Sequence, residues 1–253
     1  MRQLPKSVFL ALAGLVALTL SACSQAQASP LNLNFPEAPA ASSSPTSSEA
    51  ADLPIVSFIG DSITAGVGAT SVNDRWSKLV SSHFGWIEDN HALSGTGYFA
   101  SSDVLPEMRC EAAVCSNFGT VALSLAEQPH SITVIAGGFN DVSSYNANPD
   151  AVDKQITATI GALCDSTHGD DALIVIGPLS IQSDPTGALA AIDAQTERAA
   201  DQCDATYISG AETWLLRSGY DSGDGIHPNN AGHAEIAAQV IEALENDGYK
   251  AAE

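Results

Sequence analysis

The chain has 253 residues, 45% hydrophobic and 15% charged, with 20 glycines and 12 prolines, a composition that suits a globular protein with a real core. Thirty acidic side chains against 9 basic ones give a formal net charge of −21. Nucleic-acid affinity rests on Lys and Arg neutralising phosphates, so this charge excludes DNA and RNA as partners, and it opposes docking on an anionic membrane surface.

The first element is a leader. Arg2 and Lys6 precede a run over residues 8–20 dominated by Leu, Ala and Val. That is signal-peptide length, short of the ~20 residues a membrane-spanning helix needs. Leu20-Ser21-Ala22-Cys23 resembles the lipobox of bacterial lipoproteins, which implies a signal peptide over 1–22 and a lipidated Cys23. Ala26-Gln27-Ala28 is an A-x-A cleavage site and keeps plain secretion as the alternative. Residues 23–52 are rich in Ser, Ala and Pro and cannot bury enough surface to offset their ordering entropy, so they read as a tether. Residues 53–249 are the expected domain. The expected location is extracytoplasmic, lipid-anchored to the cell membrane, or else secreted.

Five cysteines are present, and Cys23 leaves the count under either leader reading. The remaining four allow three pairings. Cys110–Cys115, closing a small loop, and Cys164–Cys203, tying two helices, are the favoured pair. Zinc is the weaker alternative, because no C-x-x-C pair exists.

Within the domain, residues 54–59 (PIVSFI) read as a buried strand ending in Gly60. Residues 74–84 place Trp76, Leu79 and Val80 at helical spacing, and residues 86–93 are a second strand. Residues 131–136 (SITVIA) are a third strand, closed by Gly137-Gly138. Residues 150–164 put Val152, Ile156, Ile160 and Leu163 on one helical face. Residues 172–176 (ALIVI) are a fourth strand, 185–203 a helix, and 205–208 a fifth strand. Asn229 or Asn230 caps a last helix whose Ile236, Ala237, Val240, Ile241 and Leu244 form an apolar stripe. Short, continuous apolar strands alternating with helices predict a mostly parallel five-stranded sheet between two helical layers, an α/β/α sandwich. Ligands of such sheets sit beyond the carboxyl ends of the strands.

Four groups of polar residues fall there. Ser62, in Gly60-Asp61-Ser62-Ile63-Thr64, follows the first strand. Alone it reads equally well as a helix cap, and Thr64 rules out the G-x-S-x-G elbow. Asp224 and His227, in DGIHPN, sit one turn apart, so the carboxylate can orient the near ring nitrogen and leave the far one free as a base. Asn140, in GGFND, could donate an amide hydrogen to an oxyanion, although Asn and Asp also favour plain turns. Gly95, in NHALSGTGY, would let backbone N–H approach a ligand, with Gly97 as a substitute.

Together these blocks resemble the GDSL/SGNH hydrolase family, named for Ser, Gly, Asn and His in four sequence blocks. Ser62 matches the first block, Gly95 the second, Asn140 the third, and Asp224 with His227 the last, with Ile63 standing where the family name has Leu. The resemblance covers residues 54–245. It implies the SGNH, flavodoxin-like sandwich and a serine esterase using a Ser62–His227–Asp224 triad. The oxyanion hole would comprise the Ser62 and Gly95 N–H groups and the Asn140 amide. Asp221, near Asp224, is the other carboxylate that could orient the histidine. No metal or organic cofactor is implied. Tyr98 and Phe99 are candidates to line the substrate site. His83, His91, His130, His168 and His233 read as structural or solvated, and Trp76 and Trp86 as packing residues.

The expected substrate is a short-chain or acetyl ester of a small molecule or polysaccharide, and the expected state a monomer touching the membrane only through its N-terminal lipid. A lipase or thioesterase for longer chains, or a non-catalytic binding lipoprotein on the same fold, are the competing readings.

Overall fold

The computed structural model describes residues 53–101, 116–126, 131–169 and 171–252. The leader, the tether, Cys23 and the Cys110–Cys115 pairing lie outside the described residues. The chain runs β1 (Ile55–Gly60), α1 (Ser62–Ala65), a 3-10 turn (Val72–Asp74), α2 (Trp76–Phe84), β2 (Ile87–Asn90) and α3 (Phe118–Leu125). It continues through β3 (Ile132–Ala136), a 3-10 turn (Phe139–Asp141), α4 (Val142–Ala147), α5 (Pro149–Ser166) and β4 (Ala172–Ile176). Then come α6 (Ala188–Ala200), a 3-10 turn (Asp201–Cys203), β5 (Thr206–Ile208), α7 (Ala211–Trp214) and α8 (Asn230–Asn246).

The strands form one sheet in the order β2-β1-β3-β4-β5, with every pair parallel. Parallel strands need crossovers, and the helices supply them on both faces. Alternation along each strand divides the core in two. Val56, Phe58, Val134, Ala136, Ile174 and Ile176 point to the face covered by α2, α7 and α8. Ile59, Ile135, Leu173 and Val175 point to the face covered by α3, α5 and α6. On the first face Phe58 meets Trp76 edge-on at 5.5 Å between ring centroids. A large apolar side chain fully buried in this way contributes about 1.5–3 kcal/mol.

Some elements differ from expectation. β2 ends at Asn90, yet the His91 and Leu93 N–H groups still donate to Phe58 and Gly60 of β1, so the pairing runs on at alternate residues. Trp86 does not enter the strand because its N–H caps α2 at the Ser81 carbonyl. The helix expected over 185–203 begins at Ala188, after Asp184 has spent its carboxylate on the Thr186 and Leu189 N–H groups. Asn229, not Asn230, caps α8 by accepting from Gly232. Cys164 of α5 and Cys203, just after α6, form a disulfide with Cα atoms 5.9 Å apart.

Candidate active site

β1 delivers the serine. Asp61 caps α1, its Oδ1 accepting from the Ile63 N–H at 2.9 Å, and Ser62 becomes the first helical residue at the strand's carboxyl end. A hydroxyl at that position stands above the sheet, with its own backbone N–H facing the same way as the first free donors of the helix.

The histidine arrives from the opposite side of the sheet order, just ahead of α8. The turn that holds it is shaped by two carboxylates. Asp221 Oδ1 accepts from the Gly223 and Gly225 N–H groups at 2.8 and 3.0 Å, and Asp224 Oδ1 accepts from the Ile226 and His227 N–H groups at 2.9 Å each. The Ser222 N–H closes the turn on the His227 carbonyl. The Gln182 side chain, beyond β4, donates to the Gly225 carbonyl.

Asp224 Oδ2 lies 2.6 Å from His227 Nδ1, and His227 Nε2 lies 2.9 Å from Ser62 Oγ. The hydrogen bond from the His227 ring, followed by those from the backbone, holds the Asp224 carboxyl well below the usual carboxylate range. An anion fixed on Nδ1 selects the tautomer that leaves Nε2 free to accept the serine proton. Asp221 therefore serves the turn, and Asp224 is the carboxylate that meets the ring.

The third and second blocks meet over the end of β3. Asn140 Nδ2 donates one hydrogen to the Thr96 carbonyl at 2.8 Å, which fixes the amide and leaves its other hydrogen for a ligand. Gly95 sits at φ +77° in a turn that the Thr96 N–H closes on the Leu93 carbonyl. The residue that organises both blocks is Asp141, whose place beside Asn140 in GGFND looks in sequence like a plain turn position. Fully buried, it accepts from the N–H groups of Tyr98, Phe99 and Ala100 at 2.8, 2.9 and 2.7 Å. Gly97 must be glycine for this contact, since a Cβ there would stand 2.4 Å from the Asp141 carboxylate. The signal available in the sequence was the pairing of GTGY with the Asp beside Asn140. Burial pushes the Asp141 carboxyl up, against the three backbone donors that pull it down.

The expectation that Tyr98 lines the substrate site does not hold. Its side chain is fully buried in the core and packs against Phe118 at 5.1 Å between ring centroids. The alternation imposed by the Asp141 contacts turns Tyr98 and Ala100 inward and leaves Phe99 outside, 45% exposed. Ile226, next to His227, is 43% exposed. A cavity of about 450 Å³ opens between the end of β2 and α3. It adjoins the second block through Leu93, but neither Ser62, Asn140 nor His227 lines it.

The GDSL-like Lipase/Acylhydrolase family model matches residues 58–235, the span that contains all four blocks. The chain belongs to this family. Solved structures resembling this chain include TesA, at TM-score 0.58 and 18% identity over 76% of this chain and 98% of that one. The psychrotrophic esterase EstA from Pseudoalteromonas sp. matches at TM-score 0.56 and 13% identity, over 76% and 97% of the two chains. A mutant of Axe2, an acetyl-xylooligosaccharide esterase from Geobacillus Stearmophilus, matches at TM-score 0.54 and 15% identity, over 76% and 94%. A search of curated proteins found no match to the sequence. At these identities the structural likeness speaks for the fold, and the family assignment rests on the match to the family model over residues 58–235.

Proposed function

We propose that this chain is an exported serine esterase that hydrolyses short acyl or acetyl esters of a small molecule or polysaccharide through an acyl-enzyme. The observation that carries the reading is the continuous line of contacts from Ser62 Oγ to His227 Nε2 at 2.9 Å and from His227 Nδ1 to Asp224 at 2.6 Å. His227 takes the hydroxyl proton as Ser62 attacks the ester carbonyl, and Asp224 stabilises the imidazolium that results. The developing oxyanion is held by the Ser62 and Gly95 N–H groups and the free hydrogen of the Asn140 amide. One such donor is typically worth about 3 kcal/mol of barrier. His227 returns the proton to the leaving alcohol, and a water activated by the same ring then hydrolyses the acyl-enzyme.

Phe99, after the second-block glycines, and Ile226, beside His227, are exposed apolar side chains that suit contact with a small acyl or sugar group. The acetyl-xylooligosaccharide esterase among the structural neighbours supports the same preference. The leader and Cys23 support a domain tethered outside the cell by a lipid, with plain secretion as the other outcome. A rate series on p-nitrophenyl esters from acetate to palmitate, run beside acetylated sugars, tests the reading. The expected result is fastest turnover at the short end, lost in the Ser62→Ala variant. A maximum at palmitate would replace the short-acyl reading with a lipase, and undiminished turnover by the variant would remove the serine mechanism.

A further inference from the structure

Ser62 and His227 are far apart in the chain, and their 2.9 Å contact depends on how the segments behind them dock. Those segments touch through groups that take no part in the chemistry. Gly68, at φ +92°, lies against Pro228, the residue after His227; a Cβ at position 68 would stand 2.1 Å from the Pro228 carbonyl oxygen. That neighbour is backbone, so no side-chain rotation relieves the clash. The Thr70 N–H donates to Asn230 Oδ1, and Asn230 Nδ2 donates back to Thr70 Oγ1, both at 2.8 Å.

His233 is the buried member of this joint. Its side chain is fully enclosed in the first turn of α8, and its Nε2 lies 3.2 Å from the Val67 carbonyl. Val67 in turn donates its N–H to the Ser62 carbonyl at 2.9 Å. A carbonyl can only accept, so the His233 proton sits on Nε2 and Nδ1 is bare, with no hydrogen-bond partner among the described residues. Burial pushes the His233 ring toward its neutral form, and a positive charge on His227 pushes the same way. Neutrality has a use here, because the reaction makes His227 a cation and a second cation close by would oppose it.

We propose that His233 is a positioning residue: through Val67, and together with the Gly68–Pro228 contact, it sets the distance across which the Ser62 proton moves to His227. The inference rests on the serine-hydrolase reading given above. A misplacement of about 1 Å at reacting groups can cost ~100-fold in rate, so the joint should register in kcat rather than in KM.

The test uses the purified chain with p-nitrophenyl acetate and compares wild type with His233→Leu, His233→Gln and Gly68→Ala. His233→Leu removes the donor and is expected to lower kcat at least ten-fold, with KM within two-fold of wild type. His233→Gln restores an N–H donor of similar reach and should recover most of that loss. Gly68→Ala should lower kcat comparably by displacing Pro228 and His227. Wild-type kcat in His233→Leu, or a Gln variant no better than Leu at equal thermal stability, would overturn the proposal. Nitrogen-15 NMR of the wild-type ring gives a reading that needs no variant: Nε2-protonated and Nδ1-bare is expected, and the opposite tautomer overturns the proposal even if His233→Leu fails to fold. A folded wild type that neither turns over ester nor reacts with a fluorophosphonate would overturn the hydrolase reading itself, whereas an active wild type with indifferent variants overturns only the role of His233.

Discussion

Asp61 divides its carboxylate between two situations. One oxygen caps α1 on the Ile63 N–H, while the other is buried without a partner among the described residues. Burial dominates and pushes its pKa up to about 7, with the neighbouring Asp141 adding to the rise and His227 opposing it. The folded chain therefore holds a proton that the unfolded chain releases near pH 4. Stability falls as pH climbs from about 4 to about 7 and stays at that lower level above the window, where the buried carboxylate is ionised in the folded chain too. Asp61→Asn keeps the cap oxygen and removes the titration. Its melting temperature relative to wild type should rise by about 10 °C or more between pH 4 and pH 8, since a shift of about three pKa units corresponds to about 4 kcal/mol and each kcal/mol to about 2–4 °C in a domain of this size. A difference constant with pH would show that Asp61 is ionised throughout. At this scale Ser62 and His227 were legible because four weak blocks in a fixed order are jointly specific. Tyr98 was not: an aromatic after glycine looks exposed until the buried Asp141 contacts show which way the residue faces.

Elements carry the site through a few links of high sequence separation. Asp141, at the end of the turn after β3, gathers three backbone N–H groups from the loop after β2. Asp141→Ala leaves these donors without their acceptor, at about 1–3 kcal/mol for a buried group left unpaired. The expected outcome is a melting temperature lowered by several degrees and a kcat reduced more than ten-fold, because Gly95 and Asn140 lose their common support. Wild-type kcat in a destabilised variant would confine Asp141 to folding. The Cys164–Cys203 bridge closes a separation of 39 residues between α5 and the turn after α6. Chain entropy puts its contribution at about 4 kcal/mol, and the double Cys→Ser variant should unfold at correspondingly lower urea, with esterase rates at 25 °C preserved. An equal urea midpoint would mean that the bridge leaves the unfolded chain unconstrained. Strands and the longer helices were readable as apolar runs and stripes. α3 was not read, although Asn117 caps it and Phe118, Ala122 and Leu125 lie on its buried face. Eight residues with a glycine at the second position give too short a stripe to stand out from a loop.

Over the whole molecule, the formal charge of −21 sets which substrates arrive easily. The kcat/KM for an anionic ester, such as a p-nitrophenyl succinate half-ester, should rise as salt is raised from 0.01 to 0.5 M. That for neutral p-nitrophenyl acetate should stay within two-fold, because screening acts only where the substrate carries charge. An anionic ester indifferent to salt would show that the acidic surface lies away from the site. The α/β/α architecture was legible from alternation alone, since parallel strands buried on both faces need continuous apolar residues. The parts hidden from sequence were the docking contacts, Gly68 on Pro228 and His233 on Val67, which depend on residues more than 150 positions apart meeting in space. The proposed nucleophile is Ser62, made reactive by His227. This role is tested most directly by treating the folded protein with a fluorophosphonate and locating the adduct by peptide mass spectrometry. One adduct is expected, on Ser62, absent from Ser62→Ala and formed at least a hundred-fold more slowly in His227→Ala. A folded wild type left unlabelled, or labelled elsewhere with Ser62 intact, would contradict it.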